Sequence, residues 1–228
     1  MELLRLTQVE KKYTKGKVEV MALRGVNLTI EKGEFLAVVG PSGSGKTTLL
    51  NIIGCLDTAT SGSILYNGKE LGKMDEKSLS VYRKENIGFV FQSYNLIPVL
   101  TVRENVELPL VIERKLSPKE IRRKAEKIIA EVGLGDKLDR LPGELSGGQE
   151  QRVSIARALV KEPLLVLADE PTANLDSKTA EEIIALMRQI NEEKKTTFVF
   201  STHDTLVQQH AARVITLKDG NIVADERR

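Results

Sequence analysis

Phe35-Leu36-Ala37-Val38-Val39 runs straight into Gly40-Pro41-Ser42-Gly43-Ser44-Gly45-Lys46-Thr47, and a helical stretch follows from about Thr48 to Cys55. An apolar, β-branched run of this length reads as a strand of a parallel sheet, buried on both faces. G-x-x-x-x-G-K-T between a strand and a helix is an arrangement that cradles phosphates. Its glycines let backbone N–H groups turn inward, and those donors wrap a phosphate without obstruction. The helix start adds partial positive charge. Lys46 brings a full charge to the β- and γ-phosphates, and the Thr47 hydroxyl is placed to ligate Mg²⁺. The expected nucleotide contacts are therefore Gly40, Pro41, Ser42, Gly43, Ser44, Gly45, Lys46, Thr47 and Thr48.

Two further apolar segments end in chemistry. Leu164 to Ala168 ends in Asp169-Glu170, and two carboxylates at the carboxyl end of a strand need a reason to be there. Asp169 suits orientation of Mg²⁺ through water, and Glu170 suits polarisation of an attacking water. Thr196 to Ser201 delivers Thr202-His203-Asp204. From that position His203 would reach a γ-phosphate oxygen and hold base and water in line. His210 reads as an ordinary surface or core residue.

The last third alternates helix and strand: Gln149–Val160, Leu164–Ala168, Ser177–Glu193, Thr196–Ser201, Thr205–Ala211 and Val214–Leu217. Such alternation implies an α/β fold, with a mostly parallel sheet covered on both faces and ligands at the carboxyl ends of its strands. The first third reads as short strands. Leu28–Ile30 ends at Glu31-Lys32-Gly33, and Gly62–Tyr66 before Asn67-Gly68 forms one arm of a hairpin. From about Leu71 to Leu141 the spacing is helical. Ser117-Pro118-Lys119-Glu120 is a capping box, Ile121, Ala125, Ile128, Ile129 and Val132 share a face, and Gly133 stops the helix. The basic face opposite, Arg122 to Lys127, reads as solvated.

The 228 residues are 41% hydrophobic and 29% charged, which excludes a disordered, collagen-like or disulfide-stapled chain. A net charge of +2, 4% aromatics and no tryptophan argue against a general nucleic-acid binder. The lone Cys55 reads as a small packing residue and suits a reducing compartment. The start, Met1 to Arg5, lacks the layout of a signal peptide, and no apolar run approaches the ~20 residues needed to cross a bilayer. Work at a membrane would therefore require another chain to do the crossing.

Leu145-Ser146-Gly147-Gly148-Gln149 resembles the signature motif of the ATP-binding-cassette ATPases. Gln92, after Val90-Phe91, is similar to the Q-loop glutamine of that family, Asn174-Leu175-Asp176 to its D-loop, and His203 to its switch histidine. Tyr13 is similar to the aromatic residue that stacks on adenine. The resemblance covers the chain from Leu3 to about Ala224. It implies one P-loop cassette over 1–228, with an N-terminal antiparallel β subdomain and a helical subdomain at about 93–160 inserted in the α/β core. It implies ATP and Mg²⁺ as cofactors, with Thr47, Gln92 and Asp169 at the metal and Asp176 coupling subunits. It also implies a head-to-tail homodimer in which each ATP lies between the phosphate loop of one copy and the signature of the other. A physical reason is visible: Ser146-Gly147-Gly148 opens a helix through Val153, Ala156 and Leu159, whose first amides form a second anion site.

Phe89 to Pro98, Glu104 to Pro109 and Ile53 to Asp57 resemble, more narrowly, the lipoprotein-release and macrolide-exporter ATPases. The expectation is then a separate ATPase subunit, peripheral on the cytoplasmic face of a membrane, driving a permease in trans. A cell-division signalling ATPase, a soluble cassette protein and a non-catalytic nucleotide-binding module are the alternatives. Glu170 and His203 argue against the last. The surface from Ser93 to Arg114 is expected to meet the membrane partner, with Tyr94, Leu96, Val99 and Leu100 left open between docking and core packing.

Overall fold

The computed structural model describes residues 1–16, 18–72 and 74–228. In chain order the first elements are β1 (Glu2–Lys15), β2 (Val18–Glu31), β3 (Phe35–Val39), α1 (Lys46–Ile53), β4 (Ser61–Tyr66) and β5 (Lys69–Glu70). Then come α2 (Glu76–Asn86), β6 (Ile87–Phe91), α3 (Val102–Glu113), α4 (Pro118–Glu131) and α5 (Gly147–Leu159). The chain closes with β7 (Leu165–Asp169), α6 (Ser177–Lys194), β8 (Thr197–Ser201), α7 (Thr205–His210), β9 (Arg213–Lys218) and β10 (Asn221–Arg227).

Strand β3 sits inside a six-stranded sheet in the order β10-β9-β3-β8-β7-β6. The five strands from β9 to β6 run parallel, and β10 turns back antiparallel on β9. The register sets the site. Val38 pairs with Ser201, Ser201 with Asp169, and Asp169 with Phe91. The residues that follow, Gly40, Thr202, Glu170 and Gln92, are thereby delivered to one edge of the sheet, where open α/β sheets bind ligands.

The two faces of this sheet are covered differently. Phe35, Val90, Val166, Ala168, Phe198 and Phe200 pack on Val102, Val106, Ala125, Val153, Ile183 and Met187 of the helices. On the other face Leu36, Val38, Leu165, Leu167, Val199, Ile215 and Leu217 meet Leu49, Leu50, Ile52 and Ile53 of α1. Beside α1, that face is covered by a second, antiparallel sheet in the order β2-β1-β4-β5, through Leu3, Leu4, Leu6, Leu23 and Leu28.

Expected boundaries mostly hold to within a residue or two. Helix α1 starts at Lys46 and ends at Ile53, two residues ahead of expectation at both ends. Cys55 falls just beyond it, buried, with a φ of 55°. Strands β1 and β2 are 14 residues each rather than short. Their register slips between Leu6 and Val9, where Gln8 takes a φ of 50°, so the alternation that reveals a long strand is interrupted. The Asn67-Gly68 hairpin forms as read, both residues having positive φ. Helix α4 carries both halves of the Ser117/Glu120 capping box. Among the described residues no helix is long and apolar enough to cross a membrane.

Candidate active site

The loop between β3 and α1 is shaped by positions that tolerate only glycine. Gly40 has a φ of 150°, and a Cβ there would stand 2.0 Å from the Leu217 carbonyl oxygen. Gly45 has a φ of 105°, and its Cβ would stand 2.5 Å from the Ala22 carbonyl oxygen. Gly45 also caps α1 in the left-handed conformation with no side chain on the helix amides. The helix start is thus left open toward the loop. The β9–β10 turn props the loop, the Gly220 amide donating to the Ser44 carbonyl at 3.0 Å. Lys46 arches over it, its Nζ donating to the carbonyls of Gly40 at 2.8 Å and Pro41 at 3.1 Å.

A cleft of about 760 Å³ brings together Tyr13, Ala22, Gly40, Pro41, Ser42, Gly43, Gly45, Lys46, Thr47, Thr48, Gln92, Asp169, Glu170, Ser201 and His203. These come from β1, β2, the loop, α1 and the ends of β6, β7 and β8. The Ser44 side chain is buried under the loop, outside the described cleft lining, and its amide donates to the Pro41 carbonyl at 3.2 Å.

Glu170 holds a left-handed backbone, φ 47°, an uncommon state for a non-glycine residue that costs about 1–3 kcal/mol. The Glu170 amide donates to the Ser201 carbonyl at 2.9 Å. Its Oε2 accepts from the Thr202 hydroxyl at 3.2 Å, and its Oε1 meets His203 Nδ1 at 2.7 Å. With Glu170 ionised, Nδ1 carries the donated proton, and Nε2 is left for a ligand on a side chain 76% exposed. Gln92 is tied to the loop after β7: its Nε2 donates to Asn174 Oδ1 at 3.4 Å, and Asn174 Nδ2 donates to the Gln92 carbonyl at 3.0 Å.

Three supporting residues escaped the sequence reading. Thr202 braces Glu170. Thr172 donates to Asp204 Oδ2 at 2.8 Å. Gln151, fully buried on α5, donates to the Pro171 carbonyl at 2.6 Å. A glutamine four residues before Ile155 on a buried helix face was the available signal for the last. The other two are threonines whose partners lie about thirty residues away, which spacing does not reveal.

Ser146, Gly147, Gly148 and Gln149 stand apart from this cleft. They open α5 with a capping box: the Gln149 amide donates to Ser146 Oγ at 3.4 Å and the Ser146 amide to Gln149 Oε1 at 3.0 Å. Gly148 packs so closely on α6 that a Cβ would lie 2.4 Å from Thr179 Cγ2, and one on Gly147 would lie 3.0 Å from the Tyr94 hydroxyl. Asp176 caps α6, accepting from the amides of Lys178 at 3.1 Å and Thr179 at 3.0 Å and from the Thr179 hydroxyl at 2.6 Å. Thr179 thus links the signature to Asp176.

A glycine-shaped loop at the end of a central parallel strand, with lysine above it and carboxylates on neighbouring strand ends, defines a P-loop nucleotide-binding protein. The family model described as ABC transporter matches residues 23–173, and the chain belongs to that family. It is 48% identical over 227 residues to an uncharacterized ABC transporter ATP-binding protein of Thermotoga maritima, covering 100% of this chain and 96% of the relative. It is 44% identical over 223 residues to the macrolide export ATP-binding/permease protein MacB of Syntrophobacter fumaroxidans, covering 97% of this chain and 31% of that one. Its fold matches the ATP-binding cassette MJ0796 of Methanocaldococcus jannaschii, solved as a dimer in a post-hydrolysis state bound to ADP and Pi. The TM-score there is 0.90 at 45% identity, over 99% of this chain and 98% of the other. The chain is an ATP-binding ABC ATPase with an α/β cassette fold.

Proposed function

We propose that this chain is the ATP-hydrolysing subunit of a membrane complex, active as a head-to-tail dimer and coupled to a separate permease of the lipoprotein-release or macrolide-exporter type. The observation that carries the reading is spatial. The phosphate loop, Asp169, Glu170 and His203 share one cleft, while the Ser146 helix start is absent from its described lining. A second copy supplies that missing wall.

In this reading the amides of Gly43, Gly45, Lys46, Thr47 and Thr48 and the Lys46 ammonium grip the phosphates. The Thr47 hydroxyl, the Gln92 amide oxygen and the Asp169 carboxylate are all hard oxygen donors on one cleft, a set that suits Mg²⁺. When bound, that ion neutralises charge on the β- and γ-phosphate oxygens. Glu170 Oε1 accepts a proton as water attacks the γ-phosphorus, the bond to the β–γ bridging oxygen breaks, and ADP and inorganic phosphate result. His203 keeps the Glu170 carboxylate aimed through Nδ1, and with both ring nitrogens protonated its Nε2–H would donate to a γ-phosphate oxygen. The partner's signature completes the anion site with helix-start amides, and Asp176 transmits its position through Thr179. Binding of ATP closes the pair, and its hydrolysis removes the bridge.

The helices α3, α4 and α5 form the subdomain at about 93–160, joined through Val106, Ala125, Ile129 and Val153. Its outer surface favours the permease. Leu96 packs on the core, whereas Val99 is 81% exposed and Val111 and Ile112 more than half exposed. A hollow lined by Phe89, Phe91, Asn95, Pro109, Arg157 and Lys161 lies beside this stretch and would accept a short helix of the partner. A match to nearly the whole length of the Thermotoga relative supports a separate ATPase chain, which in this reading works on the cytoplasmic face.

Complementation tests the composite site. Lys46→Ala alone and Ser146→Arg alone should both be inactive. An equal mixture should regain activity from one working site per mixed dimer, about a quarter of wild type if exchange is random. A mixture as silent as its components would contradict the shared site.

A further inference from the structure

We infer that Asp57 is a positioning residue for the nucleobase, acting through Tyr13 and Lys11. The inference rests on the reading of the cleft as an ATP site and adds to it how the base is met. Asp57 lies four residues beyond α1, and both of its carboxylate oxygens are engaged. Oδ1 accepts from Lys11 Nζ at 2.6 Å and from the Thr58 amide at 2.7 Å. Oδ2 accepts from the Tyr13 hydroxyl at 2.8 Å. Lys11 Nζ also donates to the Thr58 carbonyl at 2.8 Å and stands 4.9 Å from the centre of the Tyr13 ring.

Tyr13 is 40% exposed and lines the cleft beside Thr48. An exposed tyrosine on an edge hairpin ordinarily samples several rotamers, and freezing it on a ligand costs free energy. Here the ring is pinned twice, by its hydroxyl and by a cation on one face. Only the other face remains for a planar ligand. That ligand is the heteroaromatic base of a nucleoside triphosphate whose phosphates lie on the adjoining loop. Lys11 is itself only 11% exposed, so the ammonium is spent on the carboxylate and the ring rather than on solvent. The Asp57–Lys11–Tyr13 group preorganises a stacking platform at no direct contact of Asp57 with the nucleotide.

Calorimetric titration of the full chain with ATP and with inorganic tripolyphosphate separates platform from cradle. Asp57→Ala should weaken ATP about tenfold, the scale of one base–aromatic stack, and leave tripolyphosphate within about twofold. Tyr13→Ala should give at least the same loss, and Asp57→Ala added to it should cost nothing further. Tyr13→Phe, which keeps the ring and loses the bond to Asp57, is the gentler variant and should lose about threefold on ATP alone. Equal loss of ATP and tripolyphosphate on Asp57→Ala would overturn the inference, because Asp57 would then act on the loop itself. Unchanged ATP affinity in Asp57→Ala and Tyr13→Phe, with a loss in Tyr13→Ala, would overturn the positioning role and spare the base platform. No loss in Tyr13→Ala would remove the platform and the inference together.

Discussion

Helices α1 and α5 both begin with glycine-rich sequence, yet their first turns are built in opposite ways. Helix α1 has a left-handed glycine as its cap and no side chain on its amides. Helix α5 has Ser146 and Gln149 bonded to each other's amides, leaving those of Gly147 and Gly148. The open start lies within its own chain's cleft and waits only for phosphate. The capped start is finished as a piece of structure before any ligand arrives, which suits a surface that must meet another molecule intact. Glycine also means different things at the two places. At Gly40 and Gly45 the backbone φ and neighbouring carbonyls demand it. At Gly148 side-chain packing favours it, because a Cβ would meet the Thr179 methyl of α6 at 2.4 Å.

That contrast can be broken by substitution. The largest effect is expected from Gly45→Ala, which drives a Cβ toward the Ala22 carbonyl and misplaces the loop amides. ATP affinity in calorimetry should fall by about a hundredfold. An affinity within twofold of wild type would show that the open start is not held by Gly45. Ser146→Ala should act on stability alone in the isolated chain. Loss of the cap costs ~1 kcal/mol, or roughly 2–4 °C in melting temperature. ADP affinity of the single chain should not change, and a change would place Ser146 in its own chain's site.

Helix α6 sharpens the comparison with a third kind of cap, a charged one, and the smallest effect. The Thr179 hydroxyl, with the amides of Thr179 and Lys178, holds the Asp176 carboxyl below the ordinary carboxylate value. A group whose folded value is depressed contributes its full stability above the unfolded value near 3.9 and loses it as pH falls through the folded one. Asparagine caps as well as aspartate but does not titrate. Asp176→Asn should therefore melt like wild type at pH 7 and lose less than wild type between pH 5 and pH 3. An identical acid loss in both would show that the cap is not charge-dependent.

How far residues alone carry can be read from particular elements. The segment from Phe35 to Thr47 was legible throughout, because strand, loop and helix start each impose a residue type. Helix α5, β7, α6 and β8 were legible because apolar periodicity and caps coincide. Strand β6 was not read as a strand, since α2 passes into it at Ile87 with no turn residues between. Strand β10 lies at the sheet edge, and its apolar residues are confined to Ile222, Val223 and Ala224 before a charged end, too short a run to mark a strand. In the site, the acidic pair and the histidine were visible as types at strand ends, and the lysine as part of the glycine-rich loop motif. Their mutual contacts were not, because the 2.7 Å approach of His203 to Glu170 depends on the register of β7 with β8.

Gel filtration with light scattering of the Glu170→Gln variant tests most directly whether ATP joins two copies of this chain. Without the carboxylate that takes the proton, hydrolysis should stop while ATP still binds. The variant should then run as a dimer in ATP and as a monomer in ADP. A monomer that retains bound ATP, or turnover at the wild-type rate, would contradict the account.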